Sequence, residues 1–303
     1  FLGQAVTVTA AQGVIRTGDV VLEIAPFAET VTVMRTDQDL SAVPQSVAVV
    51  ERDQIEYAQR RVSLDEALRG IPGLLVQNRR NYGLSGGIGL SIRAPQPRFG
   101  LRGLALIQDG IPITTADGTT EPGNVDLGSA GQIEVVRGPS SVLYGNSAGG
   151  VINVFTGIDE SRRLTVRPDI QFGSNGYQRQ QIRLDGHNNS GTEFMGSFSH
   201  FQTDGWREQS AAKINQGNLL VRQALSANTD LSGVFNYYDS PFAESPSFLN
   251  FDDAMNNPRS ARGISIRQNW GEAASQGQGG VTLEHRFARS QAIRVTGWAV
   301  TRD

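Results

Sequence analysis

The stretch Ile133-Glu134-Val135-Val136-Arg137-Gly138-Pro139-Ser140-Ser141-Val142-Leu143-Tyr144-Gly145-Asn146-Ser147-Ala148-Gly149-Gly150-Val151-Ile152-Asn153-Val154 decides how this chain is read. It opens on a β-rich run, Ile133 to Val136. Arg137-Gly138-Pro139 then turns the strand into a one-turn helix with proline at its first position, where a missing N–H is no loss. Gly145 is placed to end that helix in the left-handed region. Gly149-Gly150 lets two backbones approach closely before a last strand, Val151 to Phe155. Turning this dense belongs to a small globule of short elements.

Working outward toward the N-terminus, residues 41–157 read as one compact α+β domain. Val47-Ala48-Val49-Val50 is a short buried strand. Asp53 with Glu56, and Ser63 with Glu66, have capping-box spacing, each opening a short helix. Gly70 and Pro72 stop the second helix, over roughly 64–69. Glycine-rich loops then alternate with short strands at 90–93, 103–108, 132–137 and 150–155. Residues 1–40 lack strong periodicity and read as a flexible leader. Phe1-Leu2-Gly3-Gln4-Ala5 has small residues but neither the charged nor the apolar part of a signal peptide.

Toward the C-terminus the texture changes after about 158. Leu164, Val166, Ile170 and Phe172 alternate with Thr165, Arg167, Asp169 and Gln171. In the next run Tyr177, Arg179, Gln181, Arg183 and Asp185 share one face, with Ile182 and Leu184 on the other. The same period of two continues to residue 302, giving about seven strands of ~10 residues. Short turns (Ser174-Asn175-Gly176, Asn188 to Gly191, Ala227 to Thr229) join some pairs. Long polar loops, about 204–212 and 240–275, join others. Two architectures fit this alternation, a soluble β-sandwich and an outer-membrane barrel with short turns on one side and long loops on the other.

Composition narrows the classes. The chain has 303 residues, a formal net charge of −3 and no Cys. Near-neutral charge gives no reason to expect nucleic acid. The lack of Cys excludes disulfides and Cys-based zinc sites. Mean hydropathy is −0.28, and no apolar run approaches the ~20 residues of a membrane helix. Membrane strands remain open, because they are apolar only at alternate positions.

The stretch quoted first resembles the end of the plug domain of TonB-dependent outer-membrane receptors almost position for position. Ser91-Ile92-Arg93, Phe99-Gly100-Leu101-Arg102-Gly103-Leu104 and Gln108-Asp109-Gly110-Ile111-Pro112 resemble the plug signature IRG…RG…DGIP, with Ala94 where glycine is usual. The resemblance covers about 29–303 and is strongest over 91–156. RFGLRG (98–103) and DGIPITTADG (109–118) look most like the branch of ferric-citrate-type receptors and some quinone-cofactor importers. The implied fold is an α+β plug domain followed by an antiparallel transmembrane β-barrel, with about seven of some 22 strands present. Seven strands cannot enclose a plug, and the sequence stops in mid-strand over 298–303, so the chain is expected to be a fragment. The implied organisation is a leader with a TonB box (1–40), a plug (41–157) and the first part of the barrel (158–303).

The resemblance also implies partners and sites. Glu29-Thr30-Val31-Thr32-Val33 resembles the TonB box, a β-prone segment that adds as an edge strand to a TonB-type periplasmic energy-transducing protein. Ligand-binding candidates on the outward plug loops are Arg79, Arg80, Tyr82, Arg98, Phe99, Thr115 and Asp117. The arginines suit an anionic chelate, since a guanidinium fork binds carboxylates bidentately. Tyr82 and Phe99 suit stacking on a planar ligand. Arg102, Glu134 and Arg137 are candidates for docking the plug on the barrel wall. The expected function is active uptake of a ferric chelate, of siderophore or iron-citrate type, across the outer membrane of a Gram-negative bacterium, in contact with its lipid. Cobalamin, a quinone cofactor or a saccharide are alternative cargoes of the same receptor class. A passive porin or a structural outer-membrane barrel is the alternative from another class, although an open pore has no use for a plug.

No catalysis, cofactor or resident metal is expected. Gly145-Asn146-Ser147-Ala148-Gly149 satisfies G-x-S-x-G, but a nucleophile elbow needs a long strand before it and a helix after it. Here the order is reversed. His187, His200 and His285 have no metal-ligand spacing. Asn188-Asn189-Ser190 reads better as a turn than as a glycosylation site, and Trp206 and Trp298 are candidate interface aromatics.

Overall fold

The computed structural model describes residues 30–33, 36–39, 46–57, 59–78, 82, 88–92, 103–114, 120, 122–138, 144–145, 147–159, 161–288 and 291–303. The chain divides into two compact units, Phe1–Pro44 and Gln45–Asp303. In the first, β1 (Thr30–Val33) pairs antiparallel with β2 (Thr36–Asp39), from Thr30 opposite Asp39 to Val33 opposite Thr36.

The second unit opens with a globule. β3 (Ser46–Glu51) runs into α1 (Arg52–Glu56), and α2 (Leu64–Leu68) follows. The capping at α1 differs from the expected pair. The box closes between Glu51 and Gln54, whose Oε1 accepts the Glu51 N–H at 3.1 Å, because the strand hands over directly to the helix. Glu56 instead pairs with Arg52 at 3.0 Å. Ser63 is the N-cap of α2 as expected, but its side chain makes no cap bond. Glu66 reaches back to the Val62 N–H at 3.4 Å. Gly70, at φ +105°, ends this part of the chain in a conformation suited to glycine.

β4 (Leu74–Asn78) and β5 (Ile88–Ile92) form a two-stranded ribbon. β6 (Leu104–Gln108), β7 (Ile111–Pro112), β8 (Ala130–Arg137) and β9 (Gly150–Thr156) join β3 in a five-stranded sheet ordered β3-β8-β9-β6-β7. The β6–β7 link is the two-residue turn Asp109-Gly110, both at positive φ (+50° and +83°). That matches the twist of a tight hairpin and explains the Asp-Gly pair. Leu64 and Leu68 of α2 pack with Leu90, Leu106, Ile133 and Ile152 in one buried core.

Seven antiparallel strands follow in simple sequence order: β10 (Leu164–Phe172), β11 (Gln178–His187), β12 (Thr192–Thr203), β13 (Ala212–Ser226), β14 (Thr229–Glu244), β15 (Gly271–Ala288) and β16 (Gln291–Arg302). They form a wall with two unlike faces. Ile170, Phe172, Ile182, Phe198 and Phe235 are exposed on one, while Arg179, Gln181, Arg183, Asn218 and Gln278 are buried against the globule on the other. A sheet apolar outside and polar inside suits a membrane barrel rather than a sandwich, whose interior is apolar. Trp298 departs from expectation. It lies opposite Gly280, and a methyl group added at Gly280 would meet Ile111 of the globule at 2.6 Å, so this position shares the globule-facing side.

Antiparallel order sends alternate connections to opposite ends. Turns 188–191 and 227–228 mark one end, and segments 173–177, 204–211 and 245–270 the other. The last of these is not the plain polar loop expected. It carries α3 (Phe251–Asn256) and α4 (Gly263–Arg267). Asn250 caps α3 by accepting the Asp253 N–H at 2.7 Å, and Asp252 and Asp253 sit in its first turn, where negative charge is favoured.

Candidate functional site

The globule is held to the wall by buried polar contacts. Asp126, in the loop before β8, is 1% exposed; its Oδ2 accepts from Asn218 Nδ2 at 2.8 Å and Ser197 Oγ at 3.4 Å. A line of amides continues across the wall from there. Asn236 donates to Asn218 Oδ1 at 2.7 Å, and Gln278 donates to Asn236 Oδ1 at 3.4 Å. Arg183 donates to the globule carbonyls Gly128 O at 3.0 Å and Gly157 O at 2.5 Å, and to Asp185 at 2.8 Å. Two further wall residues, Arg179 and Asp169, face the carboxylate of Asp126 and the guanidinium of Arg61.

Toward the long-loop end the contacts turn aromatic. Tyr82 meets Phe201 of β12 edge-on, with ring centres 4.8 Å apart, and Phe201 also packs on Tyr177 at 5.6 Å. Arg60 donates to the Tyr82 hydroxyl at 3.0 Å and pairs with Glu66 at 2.8 Å. Burial raises the Glu66 carboxyl above the usual range, and Arg60 only partly offsets it. Burial likewise raises the Tyr82 phenol.

At the same end lies a cavity of about 720 Å³, lined from the globule by Gln77 and Asn78 and from the loops by Arg207, Ser247, Phe248, Leu249, Ala254 and Pro258. Arg207 shapes it. Its guanidinium donates to Ser260 O at 2.8 and 3.1 Å and to Ser247 O at 2.8 Å, tying both flanks of the 245–262 segment together. Burial lowers its pKa. Arg259 lies over the Trp206 ring at 5.7 Å, on the same loops. Replacing Arg207 with lysine or alanine is expected to free this segment, because only a planar fork reaches both carbonyls at once. Amide exchange over 246–262 should speed up by an opening free energy of about 1–3 kcal/mol, with exchange in the strands unchanged. Equal protection in the variant and the parent would mean that the segment holds without the clamp.

Thr30 to Val33 form β1. Tyr82 stands at the globule–wall boundary with one edge engaged by Phe201. Glu134 is buried in β8 and accepts from Gln132 at 3.5 Å. Arg137 donates to Pro72 O at 2.5 Å and to Ser46 O at 3.4 Å, both on the globule. Glu29, Arg79, Arg80, Arg98, Phe99, Arg102, Thr115 and Asp117 lie outside the described residues. Arg61, Asp126, Arg183 and Arg207 were not singled out by the sequence. For Arg183 a signal existed, since it shares a strand face with Arg179 and Asp185, and three charges on one face call for partners. Ser147 is fully buried, with its hydroxyl directed to Gly145 O at 3.5 Å. His200 bonds Asn215 at 2.7 Å and His285 bonds Thr229 at 2.8 Å. Among the described residues no group of three or more His, Asp or Glu is placed to hold a metal ion.

Comparison with known proteins agrees with this architecture. Residues 39–151 match the family model of the TonB-dependent receptor plug domain. The vitamin B12 transporter BtuB of Vibrio vulnificus strain CMCP6 is 34% identical over 137 residues, covering 45% of this chain and 22% of that protein. BtuB of strain YJ016 is 30% identical over 197 residues, covering 64% and 31%. The chain thus spans less than a third of the length of these relatives. The crystal structure of the ferric citrate transporter FecA in its unliganded form superposes with a TM-score of 0.69 at 20% identity, covering 85% of this chain and 40% of that one.

Proposed function

The chain belongs to the TonB-dependent receptors of the Gram-negative outer membrane, and from that premise we propose that it binds a metal-bearing small molecule at the outward end of its barrel and imports it actively. The cavity carries this reading. It is bounded on one side by the plug and on the other by the long loops, so a ligand held there touches both the gate and the loops above it. Its lining mixes amides with an aromatic ring and aliphatic groups, the mixture expected of a small-molecule site. The exposed apolar face of the wall is then the lipid-facing belt.

A ferric chelate is the first reading of the cargo. β4 ends in the cavity wall at Asn78, and Arg79-Arg80 follow it directly in sequence. Two adjacent guanidinium groups suit the carboxylates of an anionic iron complex. Cobalamin is the second, favoured by the similarity to two proteins named as vitamin B12 transporters. Work for import enters through Thr30 to Val33. This strand pairs with β2 in a two-stranded ribbon, and its extended backbone is the form that strand addition to a TonB-type protein uses.

Uptake by cells that depend on this receptor tests both halves. Labelled ferric citrate, a ferric siderophore and cobalamin should separate, with one of them imported and competing for surface binding. Val31→Pro removes a backbone donor from the box. Binding should persist in that variant while import falls to background. Normal import would sink the box assignment, and no binding of any of the three would sink the cargo class.

A further inference from the structure

We infer that Asp126, Arg179, Asp169 and Arg61 form an ionic latch that keeps the plug closed against the first two strands of the barrel. This rests on the chain being a plugged barrel, and is independent of the cargo. The four groups alternate both in sign and in ownership. Asp126 belongs to the plug and lies 3.8 Å from Arg179 of β11. Arg179 lies 3.1 Å from Asp169 of β10. Asp169 lies 2.5 Å from Arg61, which returns the chain to the plug, 65 residues upstream of where it began.

The surroundings explain why such a chain would act as a catch. Asp126 and Arg179 are each 1% exposed, while the Asp169 end is 33% exposed. Buried charges contribute little net stability against apolar packing, but removing one member leaves its neighbour buried and unpaired. The contact is therefore either made or broken, unlike an apolar face that can slide. Beyond it the wall offers amides such as Asn218 and Asn236, which water can satisfy once the plug leaves. The backbone is also bent to serve it. Arg61 sits at φ +59°, a left-handed conformation uncommon for a residue with a long side chain. Its neighbour Arg60 is turned to Tyr82 and Glu66 instead, so the two arginines are committed to different partners.

The test is leakage of the receptor in the outer membrane of intact cells, read as entry of vancomycin, which is too large for general porins. Asp169→Asn keeps the side chain's shape, removes its charge, and lies on the barrel away from the cavity. It is expected to raise vancomycin sensitivity several-fold, with or without the periplasmic partner, at unchanged receptor abundance. Asp169→Glu keeps the charge that faces both Arg179 and Arg61 and should stay resistant, which a merely structural role of this position would not predict. Arg286→Gln removes a wall ion pair with Asp230 that involves no plug residue, and should not leak. Sensitivity equal to the parent in Asp169→Asn would overturn the latch. So would leakage from Asp169→Glu equal to that from Asp169→Asn, or equal leakage from Arg286→Gln. Ligand uptake measured in the same cells separates this from failure of the receptor reading, because leakage needs no ligand.

Discussion

Arg183→Leu is expected to destabilise the receptor by about 3 kcal/mol, the lower part of the range for breaking a buried ion pair. The side chain is nearly fully buried and makes four hydrogen bonds, two to Asp185 and one each to Gly128 O and Gly157 O. Leucine fills much of the volume and replaces none of these. Asp185, fully buried, would keep the Asp159 N–H at 3.0 Å and Arg167 at 3.7 Å, which is why the effect stays at the lower end. The two carbonyls would lose their donor where water has poor access. Unfolding in detergent by urea, followed by loss of the β-sheet signal, gives the number. Combining Arg183→Leu with Asp185→Asn should recover part of the loss, since the stranded charge is gone. An unchanged midpoint in the single variant would mean that the plug is seated by other contacts.

What the sequence discloses here is local chemistry. Asp109-Gly110, Gly145 and Gly70 are legible because each answers to the backbone within a few residues, and all adopt positive φ. Alternation in β11 is legible because the period of a strand needs no knowledge of its neighbours. Plug-to-wall contacts are a different matter. Arg61 and Asp169 are 108 positions apart, and Asn218 and Asp126 are 92 apart. Nothing in either neighbourhood specifies the other. Charged residues of the plug signature drew the expectation to Arg102, Glu134 and Arg137, of which Arg102 lies outside the described residues; Arg61, Asp126 and the carbonyls of Gly128 and Gly157, which do meet the wall, carry no such signature. A carbonyl has no signature in sequence at all. The helices of the long loop were missed for a related reason. Each is only five or six residues, too short for a period, although Asn250 followed by Asp252-Asp253 is a cap that could have been read.

Gly150→Ala should be the most damaging small substitution in the plug, at about 2–5 kcal/mol, from two effects that add. Gly150 has φ +148°, which disfavours any residue with a Cβ. A methyl group there would also lie 2.2 Å from Val136 O and 2.8 Å from Ile92 Cδ1. The first neighbour is backbone in the adjacent strand and cannot turn aside. Gly150 pairs with Arg137 of β8 on one side and Leu104 of β6 on the other, so a shift to relieve the clash disturbs three strands of the sheet. Conformational strain of about 1–2 kcal/mol and overpacking of about 1–3 kcal/mol give the total. Gly145 separates the two terms. It has φ +68° but open space where a Cβ would go, so alanine there should show the strain alone. Both variants can be followed by limited proteolysis of the plug in the intact receptor, since the barrel resists cleavage while the plug reports its own opening. If the two alanines proved equally sensitive, the close approach of β9 to β8 would contribute nothing, and Gly150 would matter only for its dihedral angle. If Gly150→Ala opened the plug and Gly145→Ala did not, the spacing between backbones would be what this pair of glycines maintains.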